Sequence, residues 1–481
     1  YAMLKSGITL PDDAKVKQAL DTIYANYSGS ATDIVINKLL AEAAHTSASY
    51  YLAEKLVSDD NTRVPSFVEV ADDWVSILTD IKPYHTDDFS DSYQYSLYYL
   101  ANSLMQSIDL MISFSNSDDV YNHTTLPAIL AEYSYNVVVE SPVDTNAIAN
   151  LTFMFKGDAV SNEVITAVQT VIDNVDKFSS QHIGLLSGVD ANGIDCTIFG
   201  RDDSLCASDE LLAEMQQFAL PNEWTFGDIT FITKMSKERS YSIYNSLQAT
   251  ESQFFRDTGI TEAVNHDPNA QPTFVIYGSP SDYQAFHGYL YGLSSDNGGI
   301  YIEQSGTLYT YDRPDTEMFV LEELARHEYA HFLISRYLVN GMWGETEMYA
   351  DDRMVWFDEG LANYFTSATQ HEGTAPLATM IDMRSWSDGT HSIAEITNTS
   401  YSDGWMYPYS AFLFNYLEDI GSDTLVDLSA ALVADDTTEF DSIVSGLSSM
   451  DADFQVYIDS LSADGWEAPW WTYKVGAELE E

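Results

Sequence analysis

The spacing of the apolar residues changes along this chain near residue 215. Before that point apolar residues recur at intervals of three and four, as in Leu97, Leu100, Leu104, Ile108 and Met111. This period is typical of helices that pack on one another. Beyond it, "DITFITKM" and "TFVIYGS" are short, β-rich and bounded by turn formers, which predicts strands. Because 481 residues exceed one ordinary core, we predict an irregular helical array over 1–215 and an α+β domain over 216–481.

The second half of the chain mixes strand and helix signals. The run "NGGIYIEQSGTLYTY" predicts a hairpin, with two β-rich arms around "QSG". The helical period then returns over 316–338, 354–369 and 408–420. We therefore expect a small sheet followed by helices.

The acidic balance of the chain restricts its partners. Against 75 Asp and Glu stand 20 Lys and Arg, a net charge of −55. Such a field repels phosphate backbones and anionic lipids, so we expect neither nucleic acid nor a membrane as a partner. No window reaches the roughly 18 apolar residues that span a bilayer, and "YAMLKSG" lacks the build of a signal peptide, so we expect a soluble chain. Adaptation to salty surroundings explains this charge, and so does simple solubility.

The chain has two cysteines, Cys196 and Cys206, in the loop-like stretch "CTIFGRDDSLC". Its Gly and Asp residues allow the tight reversal that a short disulfide needs. A disulfide would imply secretion. The alternative is a pair of free buried thiols.

The stretch "LEELARHEYAHFLISRYL" contains the pattern H-E-x-x-H. Residues four apart share a helix face, so His327 and His331 present their imidazoles at a distance that one zinc ion can bridge. Glu328 is then placed to take a proton from an attacking water. The alternative is a helical histidine pair satisfied by surface carboxylates.

A catalytic zinc site needs a third protein ligand and one open position. The pattern H-E-x-x-H-x-x-G-x-x-H is excluded because Ile334 and Tyr337 stand where its Gly and His would be. The run "MVWFDEGLANYF" offers Asp358 and Glu359 on a later apolar helix, where an unpaired carboxylate is costly. Gly360 in this run is small enough to let that helix approach the histidine helix closely.

Several motifs in one order resemble the peptidase unit of the bacterial collagenases, secreted zinc metalloproteases of the gluzincin type with a thermolysin-like fold. The resemblance covers about 224–461, through "NGGIYIE", "GTLYTYDR", "LEELARHEYAHFL", "MVWFDEGLANYF" and "MYPYSAFLFNYL". It implies that His327, His331 and Glu359 bind zinc and that Glu328 is the general base. Asp358 replaces a second Glu of the family pattern and is the alternative ligand.

The resemblance also implies further site residues. A calcium ion would be bound by Glu303 and by the backbone carbonyls of Ser335, Val339 and Gly341. The alternative is that Glu303 is a solvated residue at the end of a strand. Gly298 and Gly299 would border an extended substrate, the alternative being a plain turn pair. Tyr401 would stabilise the oxyanion, with Tyr407 as the alternative.

By the same resemblance the helical residues 1–215 form an activator-like domain and 216–481 the peptidase. The implied activity is that of a secreted, monomeric zinc endopeptidase acting on collagen or gelatin. The alternatives are a catalytically inactive protein that binds matrix proteins, an aminopeptidase, or a peptidase of other protein substrates.

Overall fold

The computed structural model describes residues 13–27, 34–57, 67–81, 92–114, 123–135, 142–155, 160–264, 270–313, 317–369, 373–384 and 389–461. They divide into two compact units, Tyr1–Glu214 and Met215–Glu481. The described part of the chain is mostly helical with a small mixed sheet, as the sequence predicts. None of its helices is both long and apolar enough to cross a membrane.

The first unit is built from helices around one apolar core. The predicted stripe from Leu97 to Met111 lies on α4, and its five residues are buried. The helices are α1 (Asp13–Tyr27), α2 (Ile34–Val57), α3 (Phe67–Ile81), α4 (Ser92–Phe114), α5 (Leu126–Tyr135), α6 (Pro142–Phe153), α7 (Asn162–Ile172), α8 (Ser180–Ala191) and α9 (Asp202–Leu205), followed along the chain by α10 (Asp209–Ala219).

The predicted disulfide is present between Cys196 and Cys206, with their Cα atoms 5.3 Å apart. Gly200, between them, has a φ of 59°, a left-handed conformation that glycine adopts without strain. The alternative of two free thiols is therefore wrong. Closing a loop of this length stabilises the fold by about 3 kcal/mol in the chain-entropy account of disulfides.

The second unit contains a five-stranded mixed sheet in the order β1-β2-β3-β5-β4. The strands are β1 (Asn222–Phe226), β2 (Ile229–Thr233), β3 (Thr273–Tyr277), β4 (Gly299–Ile302) and β5 (Thr307–Tyr311). The predicted hairpin is β4 and β5, paired antiparallel with Gly299 opposite Thr310. Since β5 also pairs with β3, β4 forms one edge of the sheet.

Two helices lie between strands of the sheet along the chain, whereas the sequence pattern predicted all strands first and the helices after them. They are α11 (Lys237–Thr258) and α12 (Pro280–Tyr291). Both pairs β2–β3 and β3–β5 are parallel, and parallel strands require a crossover connection, which these helices provide. The expected order was therefore wrong at this point.

The rest of the second unit packs helices against the sheet in one continuous core. The predicted helices are observed as α13 (Leu321–Tyr337), α14 (Val355–Thr366) and, after the short α15 (Ala378–Arg384) and α16 (Ile393–Ile396), α17 (Met406–Asp419). All twelve residues of α14 are buried. Beyond them lie α18 (Thr424–Val433), α19 (Thr437–Leu447) and α20 (Asp451–Ser460).

Gly360 permits a close helix contact, but with α17. A Cβ atom at residue 360 would lie 2.6 Å from the Cβ of Ser410 and 2.9 Å from its backbone carbon. The contact thus brings the backbones of α14 and α17 together, whereas the sequence reading assigned this glycine to the contact with the histidine helix.

We expect Gly360→Ala to destabilise the fold and Gly446→Ala to leave it as stable or more stable. The first adds a methyl group against backbone and should lower the free energy of unfolding by about 1–3 kcal/mol. The second lies on α19, where an added Cβ meets no atom within 4 Å, and should gain up to about 1 kcal/mol. Melting temperatures of both variants test this. Equal shifts would contradict the proposed contact.

Candidate metal centre and its cleft

A cavity of about 470 Å³ opens beside the edge strand β4. Its walls come from β4, α13, α14 and the segment that leads into α17. Gly298, Val339 and Gly341 lie outside its lining. The predicted residues and alternatives that line it are Gly299, Glu303, His327, Glu328, His331, Ser335, Asp358, Glu359, Tyr401 and Tyr407.

Three side chains converge at the floor of this cavity. His327 and His331 are one helical turn apart on α13, and their Nε2 atoms lie 3.1 Å apart. Glu359, on α14, places its Oε2 atom 3.3 Å from His327 Nε2 and 3.8 Å from His331 Nε2. The two helices thus bring the predicted third carboxylate to the histidine pair.

This arrangement fits a tetrahedral zinc ion. Ligand atoms bound at 2.0–2.1 Å from such an ion lie about 3.3–3.4 Å from one another, close to the observed separations. Glu359 Oε2 is also buried, and within the described ranges no hydrogen bond of good geometry reaches it. A buried carboxylate oxygen without a partner is costly unless a cation binds it.

The second nitrogen of each imidazole has its own contact. His327 Nδ1 lies 2.9 Å from Asn363 Oδ1, and His331 Nδ1 lies 3.2 Å from Asp358 Oδ1. Contacts at Nδ1 fix the ring orientation and leave Nε2 for a metal. Asp358 therefore lies on the far side of His331 from the point where the three atoms converge.

The imidazole of His331 and the carboxylates around it shift one another's pKa. Burial disfavours a charged imidazole at His331, but the carboxylates of Asp358 and Glu359 outweigh burial and raise its pKa to about 10. Burial likewise raises the pKa of Glu359, but His331, His327 and Tyr401 together outweigh burial, so the net pKa of Glu359 is lowered. The site therefore favours a cationic partner for its carboxylates.

Glu328 lies beside the three converging atoms and is 5% exposed. Burial raises the pKa of its carboxyl group, while His327 and His331 oppose that effect. The backbone N–H of Tyr301, on β4, donates a hydrogen bond to this carboxylate. Glu328 is thus held between the edge strand and the histidines.

The open edge of β4 faces this cavity. Backbone groups of alternate residues in a strand point to the same side, so Gly299 shares the side on which Tyr301 contacts Glu328. A Cβ atom at residue 299 would lie 3.0 Å from Leu324 Cδ2 and 3.3 Å from Glu328 Oε1. Gly299 therefore allows α13 to approach the strand. This is a second reason for a glycine here, besides the predicted approach of an extended substrate.

Of the residues predicted to bind calcium, Glu303 and Ser335 line the cavity, whereas Val339 and Gly341 do not. Glu303 directly follows β4, and its Oε2 atom accepts a hydrogen bond of 2.6 Å from the backbone N–H of Trp343. Gly341, two residues before Trp343, has a φ of 96°. The structure thus brings Glu303 to the segment that follows α13, in which Val339 is buried. Ser335 lies in the last turn of α13 and lines the cavity.

Tyr401 and Tyr407 both line the cavity, so the cavity alone does not separate these alternatives. Tyr401 hydrogen-bonds Glu359, and burial together with that carboxylate raises the pKa of its hydroxyl group. Burial and the carboxylates of Glu359 and Glu328 raise the pKa of Tyr407 to about 12. Both hydroxyl groups therefore remain protonated donors at neutral pH.

Sequence reasoning missed two residues of this site. Asn363 stands four residues after Glu359, so the helical period could have placed it on the same face. Trp343 is 41% exposed, lines the cavity and contacts the rings of Tyr349 and Tyr401. No local pattern in the sequence indicates that Trp343 belongs to the site.

Comparison with known proteins gives a consistent result. A family profile described as collagenase, peptidase M9, matches residues 198–457, more than half of the chain. Collagenase ColA of Bacillus cereus is 35% identical over 275 residues, which cover 54% of this chain and 28% of that protein. Collagenase ColA of Clostridium perfringens is 30% identical over 283 residues, 56% of this chain and 26% of that protein. This chain thus spans about a quarter of the length of these relatives.

Proposed function

Because this chain belongs to the peptidase M9 collagenase family, we propose that it is a zinc endopeptidase that hydrolyses collagen or gelatin. The family resemblance predicted from the sequence motifs is confirmed by the same matches. The observation that carries the proposed chemistry is the convergence of His327, His331 and Glu359 next to Glu328. These four groups are the ligands and the base that metal-assisted hydrolysis needs.

His327, His331 and Glu359 would hold the zinc ion through two imidazole Nε2 atoms and one carboxylate oxygen. When bound, zinc polarises the scissile carbonyl group and makes the attacking water more acidic. Asn363 and Asp358 would keep the imidazoles oriented through their Nδ1 atoms.

Glu328 would accept the proton of the attacking water on its carboxylate and later donate it to the departing amine. Its hydrogen bond from the backbone of Tyr301 orients it for this transfer. Tyr401 would donate a hydrogen bond from its hydroxyl group to the oxyanion that forms at the scissile carbonyl. Tyr407 is the alternative donor, because it lines the same cavity.

An extended substrate would bind by adding a strand to the open edge of β4. This edge carries Gly299 and Tyr301 toward Glu328, so backbone pairing there would bring a peptide bond next to the base. Gly298 and Gly299 would leave room for that close approach.

A calcium ion would be bound by the carboxylate of Glu303 and by the backbone carbonyls of Ser335, Val339 and Gly341. Calcium prefers oxygen ligands of this kind. The contact between Glu303 and the segment after α13 supports this assignment. The ion would then stiffen one wall of the cleft.

We also propose that residues 1–215 form an activator-like helical domain and 216–481 a gluzincin peptidase domain. The disulfide supports an oxidising, extracellular location, because such bonds are rare in reducing compartments. The strongly acidic surface suits a soluble, monomeric enzyme that acts on a protein substrate.

We expect the purified protein to contain one zinc ion and to cleave an N-blocked, quenched gelatin-type peptide. A chelator such as 1,10-phenanthroline should abolish cleavage, because the attacking water then loses its activation, and added zinc should restore it. Native collagen assayed in parallel gives the substrate preference. Zinc at full occupancy with no hydrolysis would favour the matrix-binding alternative, and cleavage limited to free amino termini would favour an aminopeptidase.

A further inference from the structure

One guanidinium group joins the beginning of the edge strand to the beginning of the helix that carries the histidines. Arg313 follows β5, and its Nη1 atom donates a hydrogen bond of 3.0 Å to the carbonyl oxygen of Gly298. Its Nε atom donates one of 2.8 Å to the carbonyl oxygen of Phe319. Gly298 directly precedes β4, and Phe319 stands two residues before α13.

The Gly298 carbonyl group lies one residue outside the strand ladder. The last pair of the hairpin at this end is Gly299 with Thr310. Beyond it, side chains supply the donors: Thr310 Oγ1 donates a bond of 2.8 Å to the Gly298 oxygen, and Arg313 donates the other. The orientation of the Gly298 peptide group therefore depends on these two side chains.

A side chain at Gly298 and one at Gly299 would collide with different parts of the protein. A Cβ atom at residue 298 would lie 2.9 Å from Arg313 Nη1 and 3.6 Å from Arg313 Cζ. At residue 299 the nearest atoms belong instead to Leu324 and Glu328 of α13. The guanidinium group thus packs directly against the backbone at the point where the strand enters the cleft.

The surroundings of Arg313 hold its guanidinium group in one orientation. The side chain is 8% exposed, and Nη2 lies 2.5 Å from Glu317 Oε2. The ring of Tyr311 lies 5.0 Å from Arg313 Cζ, and its hydroxyl group donates a hydrogen bond to the same Glu317 oxygen. A planar group with several fixed donors satisfies such an arrangement, whereas the single ammonium group of lysine does not.

We propose that Arg313 is a positioning residue for substrate, and this inference rests on the proposed endopeptidase function. By bonding Gly298 and Phe319 at once, it fixes the position of β4 relative to α13. A peptide paired to the open edge of β4 then presents its scissile bond to Glu328 on α13. Arg313 itself contacts neither the substrate nor the metal ligands.

The test compares Arg313→Gln and Arg313→Lys with the wild type on two N-blocked peptides, one long enough to pair along β4 and one too short to do so. A displacement of about 1 Å at a reacting group lowers the rate by about 100-fold. We therefore expect kcat/KM for the long peptide to fall by about 100-fold in Arg313→Gln and by less in Arg313→Lys. Activity on the short peptide should fall less than activity on the long one, because β4 also holds Glu328 through the Tyr301 backbone. Zinc content should change little.

Arg384→Gln provides the matched control, because Arg384 also bonds two backbone carbonyls, those of Ile458 and Leu461, but lies outside the cavity lining. It should lower the melting temperature without changing the ratio of the two kcat/KM values. Equal losses on both peptides in Arg313→Gln, or the pattern of Arg384→Gln, would overturn the positioning role.

Hydrogen exchange gives a readout that does not depend on catalysis. Amides of residues 298–303 should exchange faster in Arg313→Gln and at the wild-type rate in Arg384→Gln. Unchanged exchange would reject the positioning role even in an active enzyme, whereas a wild type without peptidase activity would reject the proposed function alone. If Arg313→Gln fails to fold, Thr310→Val removes the other donor to Gly298 and should give the same changes, only smaller.

Discussion

Replacing Glu328 by Gln should lower kcat by about 10²–10⁴-fold, the usual contribution of a general base, while zinc stays bound. The amide retains an oxygen that accepts the hydrogen bond from the Tyr301 backbone, so no buried donor loses its partner. It cannot take up a proton from water. Turnover of the quenched peptide and zinc content, measured on the same preparation, check both parts of the expectation.

Glu322→Gln is the matched control for this variant. Glu322 lies on the same helix, carries the same charge and pairs with Arg239 outside the cavity. Its loss should lower stability slightly and leave kcat near the wild-type value. A Glu328→Gln protein with nearly full activity would refute the assigned base, and one that has lost its zinc would instead indicate a role in the metal site.

Replacing Glu359 by Gln should weaken zinc binding more than any other single carboxylate change in the cleft. It removes the negative charge of the proposed carboxylate ligand, whereas the two proposed imidazole ligands would be neutral when bound to metal. Loss of a residue that merely contacts a metal ligand lowers metal affinity by roughly 10–100-fold. We expect the loss of zinc affinity in Glu359→Gln to be larger than that. Competition titration with a zinc chelator of known affinity measures this fall, and peptidase activity should fall with zinc occupancy.

Asp358→Asn separates the two candidate ligands, because it removes the same charge from the adjacent residue. Asp358 contacts His331 at Nδ1, so its loss should weaken zinc binding only within the 10–100-fold range. If Asp358→Asn weakened binding more than Glu359→Gln, the ligand assignment would have to be exchanged between the two residues.

The parts of the fold that follow from local pattern could be predicted from the sequence. The apolar stripe of α4 and the β-rich arms of β4 and β5 each lie within one short segment. The crossover helix α11 was missed because its sequence, "KERSYSIYNSLQATESQFFRDT", is polar, and many of its buried residues are Ser, Thr or Gln. It is required by the parallel pairing of β2 with β3, which no local pattern reports.

The same distinction applies to the cleft. The spacing of His327 and His331 is fixed within one helix, so the pair could be predicted without any tertiary information. Asn363 and Trp343 reach the site only because α14 and the segment after α13 fold back toward it. The role of Arg313 is further from prediction still, since its partners, Gly298 and Phe319, belong to two different elements.

The complete burial of α14 has a consequence for how this protein can evolve. A helix at a surface accepts substitutions at the positions that face water, and these recur with the helical period. From Val355 to Thr366 no residue faces water. A side chain at residue 360 would in addition collide with the backbone of Ser410. Drift in this segment should therefore be slow at every position, and adaptation to a new habitat or substrate should accumulate elsewhere in the chain.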